Sequence, residues 1–146
     1  MAKEKLNISP CLEDFILYGI VSDVKEYKLA WQLNKFLEIK FILQEELTLL
    51  LKSPKSLTIL YYLFTEEYYS IKLIKNLAVE NVDIKSPFLL PELKNFDYLL
   101  MFEGEGYDED NISDKVTTLK NAEFVQYISK IELDERKIPS LHNLMF

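Results

Sequence analysis

Phe15-Ile16-Leu17-Tyr18-Gly19-Ile20-Val21 runs into Ser22-Asp23 and then into a helical pattern that ends near Leu37. The opening run is short, unbroken, apolar and rich in β-formers, so it reads as a strand covered on both faces. Ser22-Asp23 punctuates it, and Asp23-Val24-Lys25-Glu26 has the spacing of a capping box. Beyond it, Leu29, Leu33, Phe36 and Leu37 form one apolar stripe, which Tyr27 and Trp31 are expected to widen. A buried strand feeding an amphipathic helix mixes α and β within one unit.

Downstream, Ile39, Phe41 and Leu43 alternate, and Leu47, Leu49 and Leu51 resume the same parity, so residues 38–52 read as extended. Gln44-Glu45-Glu46-Leu47 would equally open a helical turn, and Ser53-Pro54-Lys55-Ser56 is a break. Residues 57–65 and 68–77 are both β-rich and meet at Glu66-Glu67 as a hairpin. Residues 78–88 read as a connecting loop and 96–102 as another short apolar strand. Asn111 is the expected N-cap of a second helix that buries Ile112, Val116, Leu119 and Ala122. Residues 124–131 alternate as a closing strand.

The order strand-helix, hairpin, strand-helix-strand predicts α+β: a mainly antiparallel sheet with two helices. The expected layout is a ferredoxin-like or ACT-like two-layer sandwich with an extra strand. Its expected limits are a loose leader at 1–13, a single domain over 14–133, and a tail at 134–146 that packs back through Leu141, Leu144, Met145 and Phe146. A chain of 146 residues buries about 70% of its unfolded surface, so it needs neither disulfide nor metal to hold a core.

The formal net charge is −7, which repels phosphate backbones and anionic membrane surfaces. Nucleic acid and membrane are therefore not expected partners. Arg136 is the only arginine among the 17 basic residues, so a bidentate phosphate clamp is not expected. Cys11 is the only cysteine, which leaves no intrachain disulfide. The opening residues lack a secretory pattern, and charges interrupt every apolar span, so a cytoplasmic location is expected.

Catalytic signals are sparse. A nucleophilic triad needs a base, and the only histidine is His142 in the tail, far in sequence from Cys11. Gly104-Glu105-Gly106 lacks the third glycine of a dinucleotide loop and sets carboxylates where phosphate would lie. Glu103, Glu105, Asp108, Glu109 and Asp110 could hold a hard cation, but not at EF-hand spacing. They read as a solvated loop that complements the next helix dipole. No cofactor, metal ligand set or catalytic residue is assigned. Tyr61-Tyr62 and Tyr68-Tyr69 read mainly as core, with any outward tyrosines available to a protein or small ligand.

Leu90-Pro91-Glu92-Leu93-Lys94-Asn95-Phe96-Asp97-Tyr98 resembles the signature of the bacterial IPExxxVDY family, with Leu90 and Phe96 as conservative replacements. The resemblance extends to Leu29-Ala30-Trp31-Gln32-Leu33-Asn34 and to the ending Asn143-Leu144-Met145-Phe146. It implies a small cytoplasmic protein of an uncharacterised family and no particular chemistry. Pro91, Glu92, Asp97 and Tyr98 are the candidate site. Proline turns the chain, Glu92 would cap backbone donors, and Asp97 would bond back to the same turn. Tyr98 would lie on the opposite strand face. The motif is then either a structural corner or a ligand site. The leading expectation is a non-enzymatic interaction or regulatory domain that acts on a protein partner or a second copy. An ACT-like small-metabolite binder is the alternative, and a carboxylate enzyme using Glu92 and Asp97 is a third.

Overall fold

A computed structural model of the chain describes residues 15–51, 54–85, 87–105 and 107–146. The expected leader with Cys11, and also Ser53 and Gly106, lie outside the described residues.

β1 (Phe15–Val21) forms where the apolar run predicts it, with every residue but Val21 buried. Alternation sends Ile16, Tyr18 and Ile20 into one core and Phe15 and Leu17 into another. α1 (Glu26–Leu37) then buries Leu29, Ala30, Leu33 and Leu37. Its start corrects the expected capping box: the N-cap is Lys25, without a side-chain cap. Asp23 instead exchanges hydrogen bonds with Gln126, at 3.0 and 3.3 Å, and Glu26 pairs with Lys75 at 3.6 Å. Tyr27 and Trp31 do not widen the buried stripe, for they are 65% and 54% exposed. Lys35 Nζ sits 3.5 Å from the centre of the Trp31 ring, a cation–π contact that suits a solvated indole.

β2 (Ile42–Leu43) and β3 (Leu47–Leu50) follow, then β4 (Ser56–Ile59) and β5 (Tyr61–Thr65), β6 (Tyr69–Lys75) and β7 (Glu80–Val82). A 3₁₀ turn at Pro91–Leu93 leads into β8 (Tyr98–Gly104), then α2 (Glu109–Leu119), β9 (Tyr127–Lys130) and a second 3₁₀ turn at Pro139–Leu144. Boundaries differ from expectation in several places: the strand expected at 96–102 is Tyr98–Gly104, and the one expected at 124–131 is Tyr127–Lys130. The run 57–65 breaks at Leu60 into strands of different sheets, and the presumed loop 78–88 contains β7. The cap of α2 is Asp108, whose carboxylate accepts from the Asp110 and Asn111 amides, and not Asn111.

The class is α+β with antiparallel sheets, although nine strands in two sheets among the described residues replace the single sheet expected. The larger sheet runs β2-β5-β6-β8-β1-β9 and the smaller β3-β4-β7, with every neighbouring pair antiparallel. β8 and β9 thus run parallel with β1 between them, and β1 and β6 run parallel with β8 between them. Both helices cover one face. Leu29, Leu33, Ile112, Val116 and Leu119 share a core with Tyr18, Ile20, Leu100 and Phe102. The opposite face packs Leu17, Ile74, Leu99 and Met101 against Ile59, Leu89 and Leu90, with Ile138, Leu141 and Leu144 of the tail.

Candidate functional site

The motif Pro91–Tyr98 forms a corner where the chain enters β8. Leu90 is extended at φ −119°, as a residue before proline must be, and Pro91 opens the 3₁₀ turn with its missing amide at an otherwise unpaired position. The Asp97 amide donates to Ile20 O at 2.9 Å, and Asp97 Oδ2 accepts from the Ser22 amide, also at 2.9 Å. Asp97 therefore fastens the end of β1, not the turn it sits on. Tyr98, one residue on, is buried under α1 and its hydroxyl donates to Val24 O at 2.7 Å. Burial and the nearby Glu26, Asp97 and Tyr62 hold its phenol well above the ordinary range. Among the described residues Glu92 caps no backbone donor. It is exposed and accepts a hydrogen bond from the Ser140 hydroxyl in the second 3₁₀ turn.

The residue that organises this corner is Asn76, fully buried at the end of β6. Its Nδ2 donates to Leu93 O at 3.0 Å and Phe96 O at 3.1 Å, and its Oδ1 accepts from the Leu90 amide at 2.9 Å. A buried side-chain amide needs such partners, and here it supplies them to three main-chain groups of one bend. Nothing in the run Ile74-Lys75-Asn76-Leu77 marks that role. A polar residue within an otherwise β-rich run was the only available signal.

A cleft of about 480 Å³ opens beside the corner, bounded by the Ser22–Glu26 turn, Lys75, Leu77, Phe88 and Lys94. Asp97 and Tyr98 line it, while Pro91 and Glu92 do not. The structure thus separates the two motif carboxylates: Asp97 faces the cleft and Glu92 faces the tail. Lys25, Lys75 and Lys94 balance Asp23, Glu26 and Asp97 around it, so the cleft carries no net formal charge. The chain matches no family model, and no curated protein is similar to it.

The acidic loop is divided among separate tasks. Glu103 pairs with the buried Lys72 at 3.4 Å, Asp108 caps α2, and Glu109 pairs with Lys130 at 3.7 Å. Among the described residues no three His, Cys, Asp or Glu side chains gather as metal ligands. His142 Nδ1 lies 2.9 Å from Pro139 O. Among the described residues, too, no helix is long and apolar enough to cross a membrane.

A second recess lies at the other side of the sheet. Among the described residues β9 pairs with β1 alone, which makes it an edge of the larger sheet. Ser129 stands opposite Gly19, and the Ile131 amide donates to Leu17 O at 2.8 Å. By the alternation of an antiparallel ladder, Ile128 and Lys130 direct their main-chain groups outward, where the Lys130 carbonyl accepts from the Ser129 hydroxyl at 3.4 Å. A groove of about 430 Å³ runs along this edge under α2, lined by Tyr18, Ser113, Thr117, Lys120, Ser129 and Lys130 among others. Its lining holds two lysines and no carboxylate, in a chain of net charge −7. Sequence reading found the strand but not the groove, because Lys120 and Lys130 are ten residues apart and meet only through the fold.

Proposed function

We propose that this domain is a non-enzymatic interaction module that binds protein through the free edge of β9. The observation that carries the reading is the combination of the Ile128 and Lys130 amides of β9, which have no strand partner among the described residues, with a groove beside them. An added strand gains hydrogen bonds from the first and side-chain contacts from the second. Corner residues Asp97 and Tyr98 serve as fasteners in this reading, which leaves the motif to hold the sheet that presents the edge. We place the layer among ferredoxin-like or ACT-like sandwiches. In support, β9-β1-β8-β6, with both helices on one face, has the order of two interlocked split β-α-β units, and β2–β5 and β7 are then additions. Membership of the bacterial IPExxxVDY family and a cytoplasmic location belong to the same proposal, resting on the motif spacing and on composition.

The test is affinity capture from cell lysate followed by hydrogen exchange on the captured complex. Protection confined to residues 126–131 is expected. Lys130→Pro, which removes an outward amide at an edge where proline is tolerated, should lose the partner. Capture that is unchanged in Lys130→Pro, with protection elsewhere, would contradict the reading.

A second reading, an ACT-like small-metabolite binder, is favoured by the cleft that Asp97 and Tyr98 line. A thermal-shift screen with amino acids and nucleotides separates the two. A metabolite whose stabilisation is lost in Lys94→Glu but kept in Lys130→Pro would promote the cleft over the edge.

A further inference from the structure

We propose that the occupant of the β9 groove is an extended acidic segment of a partner protein, which adds a strand to β9 and sets its carboxylates against the Tyr18 hydroxyl, Lys120 and Lys130. This rests on the edge reading above and names the partner's chemistry.

Tyr18 is the strongest pointer. It is only 7% exposed, its ring packs edge-on to Phe102 at 6.1 Å, and it lines the groove. Its hydroxyl has no hydrogen-bond partner among the described residues. A buried phenol without an acceptor is costly, and the groove is the side from which one can arrive. Burial and the Glu109 carboxylate push its pKa up, so it remains a donor at neutral pH. Two lysines without a carboxylate in the lining add the matching charge.

The pattern of the segment follows from the sheet. Ile128 and Lys130 lie on the α2 side, and Tyr127 and Ile131 on the other, where Tyr127 stacks on Phe96 at 6.1 Å. An added strand alternates in the same way, so acidic residues face the groove and apolar residues face Tyr127. A second copy fits less well. It would bring its own Lys130 to the edge and repeat a net charge of −7. Glu109, which holds Lys130 at 3.7 Å, is the internal competitor for an incoming carboxylate.

The probe is the fluorescent peptide acetyl-Glu-Val-Glu-Val-Glu-Val-Glu-amide, titrated against the full chain by anisotropy at low salt. Binding is expected, weakening at least about tenfold with Lys120→Glu plus Lys130→Glu and with added salt. Tyr18→Phe, which keeps the ring, should also weaken it, and Glu109→Gln should tighten it. Circular dichroism and urea midpoints confirm that each variant is folded. If a Thr-Val peptide binds as tightly as the acidic one, the acidic partner is wrong and the edge reading stands. If the acidic peptide with alternate amides N-methylated binds equally well, strand addition itself is wrong. Failure of both peptides to bind at millimolar concentration overturns the proposal. So does light scattering that shows a dimer broken by Lys130→Pro, since the occupant is then a second copy.

Discussion

The Ser22 amide donates to Asp97 Oδ2 at 2.9 Å across 75 residues of sequence, closing the end of β1 onto the start of β8. Replacing Asp97 by Ala should therefore lower stability by about 1 kcal/mol, the worth of one hydrogen bond to a partly exposed group. Asp97→Asn keeps an oxygen at the same place and should recover most of that loss. Glu92→Ala, which loses only the exposed contact with Ser140, should cost under about 0.5 kcal/mol. Urea unfolding at constant m-value ranks the three, and equal losses at both positions would contradict this division of labour.

Asn76 is the larger stake. Asn76→Ala would strand the Leu90 amide and the Phe96 carbonyl inside the protein, while the Leu93 carbonyl keeps its bond from the Phe96 amide. The expected loss is about 3 kcal/mol, which combines a cavity with unpaired polar groups. Asn76→Asp should fare no better, because a carboxylate cannot donate to two carbonyls. A urea midpoint for Asn76→Ala within the range of surface variants would show that the corner is held by other means.

Much of the layout was legible from local pattern. The all-apolar run of β1, the 3.6-residue stripe of α1 and the alternation before Ile131 each state their element and its buried face. What could not be read is where a continuous β-rich stretch changes sheets. Residues 57–64 contain no glycine or proline to mark the step at Leu60, and only pairing with different neighbours separates β4 from β5. The candidate motif was visible, but its partners were not. Ser22, Val24 and Ser140 lie 75, 74 and 48 residues from the side chains they meet. Aromatic residues misled for a simple reason. Tyr27 and Trp31 satisfy a hydrophobic stripe, yet an indole can be stabilised outside the core by a lysine at helical spacing.

Gly19 is required by the Phe96 ring that packs over it. A Cβ placed there would sit 2.5 Å from Phe96 Cδ1, inside contact distance of a ring that also stacks on Tyr127. Gly19→Ala should cost about 1–3 kcal/mol by overpacking. Phe96→Leu in the same chain should recover part of it. A double-mutant cycle checks the coupling, and strict additivity would contradict the contact.

Alkaline stability should report on Tyr98. In the unfolded chain its phenol titrates near 10.0, whereas burial, Glu26, Asp97 and Tyr62 hold it higher in the fold. Below about pH 10 both states are protonated and the contribution is constant. Above it the unfolded chain ionises first, so stability falls as pH rises toward the folded value. Tyr98→Phe should cost about 1 kcal/mol at pH 7 through the lost bond to Val24 O. Its decline above pH 10 should be shallower, with Tyr18 and Tyr62 accounting for what remains. Parallel declines in the two proteins would remove Tyr98 from this role.

The free edge of β9 is the premise on which the binding proposals stand, and amide exchange tests it without any ligand. Ser129 and Ile131 face β1, while Ile128 and Lys130 face outward. Residue-resolved exchange by NMR on the isolated full chain should show the Ile128 and Lys130 amides at least about a hundredfold faster than those of Ser129 and Ile131. Slow exchange at all four positions would mean that the edge is already paired, and would contradict the account.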